Sequence, residues 1–298
     1  MTSSRAPALE GRVCAITGAG RGIGREHALL FASEGARVVV NDLGGAPDGS
    51  GADVSAAQAV VDEIGGDAVA STDDISTWEG ARSLIQTAID SFGRLDVLVN
   101  NAGILRDAYI GSMTEEQWDD VIRVHLKGHF AALRHAVDHW KARAKAGEEV
   151  RAAVVNTASA SGTYMPNPGQ ANYGAAKAAI AALTLVAAGE LGRYGVRVNG
   201  IAPVARTRLT LATPGPIGEM FKAPTDPDSF DPFDPRHVSP LVAWLATEDC
   251  PLSGQLFAVQ GGSIQPLTGW TVGEAISTDG DWTIDNIKEH LCQPSLSR

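Results

Sequence analysis

The sequence predicts an α/β fold built on a doubly wound parallel sheet, and three observations carry that prediction. Short apolar runs such as Arg12–Thr17 and Ala36–Asn41 have the composition of strands buried on both faces. Stretches of helical periodicity separate these runs, so strand and helix alternate as in repeated βαβ units. The residues able to do chemistry gather where the strands end, which in an open α/β sheet is the rim of the ligand crevice.

Length and composition set the frame. With 298 residues and 44% hydrophobic content, the chain can bury one large core. We expect one domain over residues 10–262, interrupted by a substrate loop at 212–235 and followed by a C-terminal extension at 263–298 that packs on the domain or on a neighbouring subunit. Lys and Arg number 24 against 35 Asp and Glu, a formal charge of -11 that works against binding nucleic acid. Cys14, Cys250 and Cys292 are too few and too scattered for a disulfide framework or a zinc site; they read as small buried hydrophobes in a reducing compartment, and no metal is expected. Residues 1–10 lack a long apolar core, and no run of roughly 18 apolar residues occurs, so neither a signal peptide nor a membrane span is expected. The expectation is a soluble cytoplasmic protein acting on a small molecule, with neither nucleic acid nor membrane as partner.

In chain order, the strand Arg12–Thr17 runs into Gly18-Ala-Gly-Arg21-Gly22-Ile23-Gly24 and then a helix at Arg25–Glu34. Glycines let a backbone approach a pyrophosphate, and the free amides of the following helix stabilise its charge. The second strand ends in Asp42, close to the spacing of about 20 residues at which an acid accepts hydrogen bonds from an adenosine ribose. A carboxylate there repels a 2′-phosphate, so NAD is favoured over NADP; alternatively Asp42 caps the turn at Leu43-Gly44-Gly45. The Gly/Ala/Asp-rich loop 44–53 is a surface excursion whose role the sequence leaves open.

A helix over 54–64, a strand at 68–71, a helix over 77–92 and a strand at 95–99 continue the alternation. Asp73-Asp74-Ile75 and Asn100-Asn101-Ala102-Gly103 sit at strand ends on the expected crevice rim and are read as cofactor contacts. Thr114-Glu-Glu-Gln117 has the form of a capping box and opens a helix running to about 146. The next strand, 150–157, ends at Asn156-Thr157-Ala158-Ser159, where a serine either caps a turn or donates to a substrate oxygen.

Asn172-Tyr173-Gly-Ala-Ala-Lys177 opens an Ala-rich run for which helix is the cheapest backbone. Residues four apart share a helix face, so Tyr173 and Lys177 point the same way. A phenol with an ordinary pKa of about 10 is a poor base at neutral pH, and an adjacent ammonium favours its ionised form. Strands at 196–201 and 255–259 and a helix over 238–247 complete the sheet. The Pro/Asp/Gly-rich segment 212–235, with Met220, Phe221, Phe230 and Phe233, is read as a substrate lid.

Together these residues resemble the short-chain dehydrogenase/reductase family from Arg12 to about Gly262. The matching pieces are Thr17-Gly18-Ala-Gly-Arg-Gly22-Ile-Gly24, Asp74-Ile75, Asn100-Asn101-Ala102-Gly103, Ser159, Tyr173-Gly-Ala-Ala-Lys177 and Ser253-Gly254 before Gly261-Gly262. Within the family, Val40–Gly45, Gly103-Ile-Leu-Arg106-Asp107, Val124-His125-Leu126 and Gly169–Tyr173 look like the hydroxyacyl-CoA dehydrogenase unit of peroxisomal multifunctional enzymes of type 2. The resemblance implies a Rossmann-type fold and a homo-oligomer, read as a tetramer, with the small residues Ala178, Ala181, Ala182 and Gly189 either approaching a partner helix or facing the sheet. It also implies a catalytic set of Ser159, Tyr173 and Lys177, with cofactor contacts from Gly18, Arg21, Gly22, Ile23, Gly24, Asp42, Asp74, Ile75, Asn101, Ala102, Gly103, Tyr173, Lys177 and Thr207.

Three departures bear on that set. Ser159 lies fourteen residues before Tyr173, where the family spaces its serine twelve or thirteen before, so Ser161 is the fallback. His125 stands where many members have a relay asparagine, and Pro203-Val204 replaces a Pro-Gly. The implied reaction is NAD-linked interconversion of a secondary alcohol and a ketone, on a 3-hydroxyacyl-CoA or steroid-like substrate. A carbonyl reductase and a nucleotide-sensing protein are the alternatives. For a coenzyme A portion, Arg106, Arg206, Arg208 and Lys222 are the candidate cations.

Overall fold

The computed structural model of the chain describes residues 6–212, 221–226 and 229–291. Eight strands form one sheet: β1 (Val13–Thr17), β2 (Arg37–Asn41), β3 (Ala68–Ser71), β4 (Val97–Asn100), β5 (Ala152–Thr157), β6 (Val196–Pro203), β7 (Leu256–Gln260) and β8 (Ser263–Pro266). Their order is β3-β2-β1-β4-β5-β6-β7-β8, parallel through β7 and antiparallel only at β8. This is the doubly wound, Rossmann-type α/β sheet that the sequence predicts. Ser263–Pro266, assigned from sequence to the C-terminal extension, forms the eighth strand by pairing with β7.

Both faces of the sheet are buried, which is why its strands read as continuous apolar runs. Cys14 and Ile16 of β1 point to one face and Val13 and Ala15 to the other; Val38 and Val40 oppose Val39 in β2 in the same way. Helices α1 (Gly22–Ser33) and α2 (Ser55–Ile64) cover the first face, with Phe31 of α1 wholly buried. On the second face lie α3 (Trp78–Phe92), α4 (Glu115–Val121), α5 (Gly128–Lys145) and α6 (Ala171–Leu191), and Trp140 of α5 is buried with its indole N–H donating to Leu95 O at 2.7 Å. Among the described residues α7 (Arg208–Ala212) and α8 (Ser239–Ala246) follow, and α8 returns to the first face beside α1.

The single long helix expected over 114–146 is divided. The capping box at Thr114 and Gln117 is present, but Ile122–Lys127 widens into a π-helical segment between α4 and α5. That segment turns His125 inward to a site where Nε2 meets the backbone of Ile104, 3.0 Å from its N–H and 2.8 Å from its oxygen. Such bulges commonly mark functional sites.

By length and a mean hydropathy of 1.4, the stretch Ala171–Tyr194 would suffice to cross a membrane. It is instead a layer helix of the sheet, carrying the buried polar residues Asn172, Lys177 and Thr184. Cys14 and Cys250 are free and buried, as small hydrophobes. Cys292 lies outside the described residues, and from Thr268 on the described residues form a separate compact unit. Within it, a helix α9 (Ile284–Leu291) is capped by Thr283, and Trp282 lies edge-on to His290 at 5.6 Å.

Candidate active site

Strand order reverses between β1 and β4, so the loops that follow these strands diverge and leave a crevice between them. The loops are clamped to each other across it. Asn101 Nδ2 donates to Thr17 O (3.0 Å) and Gly18 O (3.1 Å), while Thr17 Oγ1 accepts from the N–H groups of Asn101 (2.9 Å) and Ala102 (3.1 Å). Gly18 takes a left-handed φ of +64°, and a Cβ there would lie 2.7 Å from Ala102 Cα. The turn is therefore a backbone-lined cradle before the N-terminus of α1, of the kind a dinucleotide pyrophosphate occupies.

A cavity of about 340 Å³ opens from this cradle. All the expected cofactor residues line it: Gly18, Arg21, Gly22, Ile23, Gly24, Asp42, Asp74, Ile75, Asn101, Ala102, Gly103, Tyr173, Lys177 and Thr207. The Thr207 methyl faces Gly22, 3.5 Å from where a Cβ would stand. The volume, the glycine cradle and the acidic residue at the end of β2 fit a nicotinamide dinucleotide.

Asp42 does both things that the sequence left open. Its Oδ1 accepts from Gly44 N at 2.7 Å and caps the turn, and its Oδ2 accepts from Gly20 N at 2.8 Å, which holds the carboxylate against the glycine turn. Arg21, the arginine of the glycine turn, is tied to Asp53 at 2.6 Å. The loop 44–53, to which the sequence assigned no role, folds over the cavity. Leu105 N donates to Pro47 O at 2.9 Å, Arg208 Nη2 donates to Gly45 O at 3.2 Å, and Gly45, Asp48 and Gly49 form part of the lining. Nothing in its composition signals this.

At the other end of the cavity α6 presents Tyr173 and Lys177 one turn apart, and the Lys177 Nζ lies 5.6 Å from the phenol ring centroid. Lys177 is 2% exposed, and Nζ donates to Thr157 O at 2.6 Å. Burial is the dominant influence on both groups. It raises the Tyr173 pKa, opposed by a hydrogen bond from Ser159 and reinforced by the negative charge of Asp107. It lowers the Lys177 pKa to about 7. The phenol thus moves opposite to the direction that an ammonium alone would give, because dehydration outweighs the attraction.

The choice of serine is decided by partners. Ser161 Oγ is turned away to Gln170 Oε1 at 2.7 Å, whereas the Ser159 hydroxyl, which accepts from Ser161 N at 3.2 Å, is the one that acts to lower the Tyr173 pKa. His125 stacks edge-on against Tyr173 with centroids 5.1 Å apart. Burial, helped by the Lys177 charge, pushes the His125 pKa down to about 3, so the imidazole is neutral. Near the site, the Nδ1 of His125, the Nε2 of His129, the Oγ1 of Thr157 and the Oδ1 of Asp107 are buried without a hydrogen-bond partner among the described residues.

The expected coenzyme A cations are mostly engaged. Arg106 pairs with Asp120 at 3.2 Å, and Arg206 pairs closely with Asp231. Arg208 is exposed beside the cavity, and Lys222 is exposed on the following segment. Part of the expected lid is packed rather than open: Phe221 is buried against Phe233, with centroids 4.7 Å apart, while Phe230 is exposed against His237. Met220 and the rest of residues 213–220, with 227–228, lie outside the described residues.

The small residues of α6 divide between its faces, Ala181 buried toward the sheet and Gly189 on the outer face with Leu185 and Val186.

Comparison with known proteins agrees with this geometry. The family model described as short chain dehydrogenase matches residues 12–211. The hydroxyacyl-CoA dehydrogenase ChsB1 of Mycobacterium tuberculosis is 43% identical over 277 residues, covering 91% of this chain and 84% of its own. Peroxisomal multifunctional enzyme type 2 of Mus musculus is 44% identical over 263 residues, 87% of this chain but 33% of that longer protein. A solved structure, 3-ketoacyl-(acyl-carrier-protein) reductase from Brucella melitensis complexed with NADH, superposes with a TM-score of 0.73 at 31% identity, covering 85% of this chain and 98% of that one. With the glycine cradle, the Ser159, Tyr173 and Lys177 arrangement and these matches in agreement, the chain belongs to the short-chain dehydrogenase/reductase family of oxidoreductases.

Proposed function

We propose that the protein is an NAD-dependent dehydrogenase that oxidises the secondary alcohol of a 3-hydroxyacyl-CoA to the ketone. The observation that carries the reading is Tyr173 one helical turn from buried Lys177, at the end of a cavity that begins in the glycine cradle, with the Ser159 hydroxyl on the turn that follows β5. In this reading the carbinol oxygen sits between the two hydroxyls. Ser159 donates a hydrogen bond to it, and Tyr173 takes its proton as general base. Bound nicotinamide supplies the acceptor for the hydride. Lys177 holds the neighbouring ribose and balances charge on Tyr173, while neutral His125 and Ile104 form the wall that keeps water out.

NAD rather than NADP is supported by two features. The Asp42 carboxylate stands against the cradle and Arg21 is neutralised by Asp53, so a 2′-phosphate there would meet an anion while the arginine of the glycine turn is already paired. The hydroxyacyl-CoA preference is supported by the names of the mycobacterial and mouse relatives. Because a proton-transfer site works in both directions, reduction of a 3-ketoacyl substrate is the second reading, favoured by the Brucella melitensis relative.

The exposed apolar residues Phe130 on α5 and Leu185 and Val186 on α6 support pairing with further copies of the chain as a tetramer, and the free thiols of Cys14 and Cys250, the two cysteines among the described residues, support a reducing compartment such as the cytoplasm. Sedimentation at the mass of one 31.0 kDa chain would remove the tetramer.

Steady-state kinetics on 3-hydroxyacyl-CoA and hydroxysteroid substrates test the whole reading. NAD should exceed NADP in kcat/KM by at least about tenfold, about 1.4 kcal/mol, and Asp42→Ala should narrow that gap. Tyr173→Phe should lower turnover by about a thousandfold while leaving coenzyme affinity intact. A Tyr173→Phe enzyme keeping a tenth of the activity, or equal use of the two coenzymes, would overturn the respective assignment.

A further inference from the structure

Three elements bring the reacting groups together: the loop after β4, the turn after β5 that carries Ser159, and the N-terminal turn of α6 that carries Tyr173. A single side-chain chain joins all three. Ser161 Oγ donates to Gln170 Oε1 at 2.7 Å, and Gln170 Nε2 donates to Asp107 Oδ2 at 2.9 Å. With Asp107 ionised, the Gln170 amide turns its NH2 group to the carboxylate and its oxygen to the Ser161 hydroxyl. Backbone contacts run beside the chain: Ala108 N donates to Gly169 O at 2.9 Å, and Asn172 Nδ2 donates to Arg106 O at 3.0 Å. Gln170 is 7% exposed and stands at the N-cap of α6, three residues before Tyr173.

Asp107 differs from the other acids of the cavity region. Asp42, Asp74 and Asp120 each accept from backbone amides, hydroxyls or arginines. Among the described residues the only side-chain donor to Asp107 is a neutral amide, and its Oδ1 is buried with no partner. Its neighbour Arg106 is directed to Asp120 and Asp48 instead. Burial raises the Asp107 carboxyl pKa, opposed by the hydrogen bond from Gln170, and the contacts of Arg106 O with Asn172 and of Ala108 N with Gly169 seat the carboxylate beside the first turn of α6, within range of the phenol.

We propose that Asp107 is a positioning residue of this enzyme: through Gln170 and Ser161 it fixes the turn bearing Ser159 against Tyr173, and its uncompensated negative charge acts on the Tyr173 hydroxyl. The charged and titratable groups facing that hydroxyl are then Lys177 on α6, His125 on the π-helical segment and Asp107 on the loop after β4, with His129 behind Lys177. His125 and His129 are held neutral by burial, leaving Lys177 and Asp107 with opposite effects. Lys177 favours the phenolate and Asp107 disfavours it.

The proposal rests on Tyr173 being the proton acceptor, and the test separates the two ideas. The pH dependence of kcat/KM for alcohol oxidation is measured for the wild type, Asp107→Asn, Ser161→Ala and Tyr173→Phe. Asp107→Asn keeps an acceptor for Gln170 and removes only the charge, so the ascending limb should move to lower pH by about half a unit to one unit. Ser161→Ala keeps the charge and cuts the brace, so its limb should stay in place while kcat falls about tenfold or more with the coenzyme KM unchanged. Limbs that coincide for the wild type and Asp107→Asn would overturn the electrostatic half, and an unchanged kcat in Ser161→Ala would overturn the brace. A Tyr173→Phe enzyme that retains activity would instead overturn the assignment of the base.

Discussion

Replacing Lys177 by methionine should stabilise the coenzyme-free protein at neutral and acidic pH while destroying turnover. Burial moves the pKa of this lysine from the ordinary 10.5 to about 7. Below about pH 7 the ammonium is charged in both the folded and unfolded states, so folding bears the full cost of dehydrating it. Between about pH 7 and 10.5 the unfolded chain holds the proton and the folded protein does not, so stability rises with pH through that window. At about 1.4 kcal/mol per pH unit, the full effect is about 5 kcal/mol. Methionine matches the aliphatic stem without the charge, but it leaves the Thr157 carbonyl, now bound at 2.6 Å, without a donor. That loss costs about 1–3 kcal/mol. The net gain at pH 6 should be about 2–4 kcal/mol, disappearing or reversing by pH 10. Urea unfolding at pH 6 and pH 10 measures it, and with a slope of about 3 kcal/mol per molar the midpoint at pH 6 should rise by about 1 M. A variant no more stable than the wild type at pH 6, or one with the same advantage at both pH values, would show that Lys177 is not held in the folded protein at this cost.

Two glycine substitutions should rank in a definite order. In Gly24→Ala the new Cβ would lie 2.1 Å from Gly18 O, a backbone atom of the cradle, so both stability and NAD affinity should fall, stability by about 3 kcal/mol, measured by thermal unfolding and coenzyme titration. In Gly103→Ala the new Cβ would lie 2.3 Å from His125 Cε1, a ring that can swing at the expense of its contact with Ile104, so stability should fall by about 1–2 kcal/mol. Equal losses from the two, or a Gly24→Ala protein that binds NAD normally, would contradict the packing described.

The strands and the glycine turn were legible because their signals are local. An apolar run of five residues followed by Gly18-Ala-Gly admits few backbones, and a long alanine helix brings Tyr173 and Lys177 to one side whatever surrounds it. The π-helical break at Ile122–Lys127 was not legible, since nothing in that stretch disfavours α-helix; its inward turn is tied to the contact of His125 with Ile104, 21 residues away. Strand β8 escaped for the opposite reason: Ser263–Pro266 is exposed and carries no buried face, and it is a strand only because β7 offers it an edge. Arg206 and Phe233 were read as substrate contacts from their composition and place, but Asp231 and Phe221 engage them within the fold. Asp107 and Gln170 lay inside quoted motifs without a role, because a hydrogen bond spanning 63 residues leaves no spacing to read.

By itself the sequence determined the order of strands β1 to β7, the glycine cradle and the placing of Tyr173 and Lys177 on one face of a helix. These follow from backbone sterics, helical period and side-chain chemistry, all of which act over a few residues. The tertiary structure alone decided which of two serines acts on the tyrosine, that Asp42 both caps its turn and guards the cradle, and that Arg21 is already neutralised. It also decided that burial, rather than the neighbouring ammonium, dominates the proton affinities of Tyr173 and Lys177. Dehydration and hydrogen-bond competition depend on every group within a few ångströms in space, and those neighbours come together only once the sheet has closed around the site.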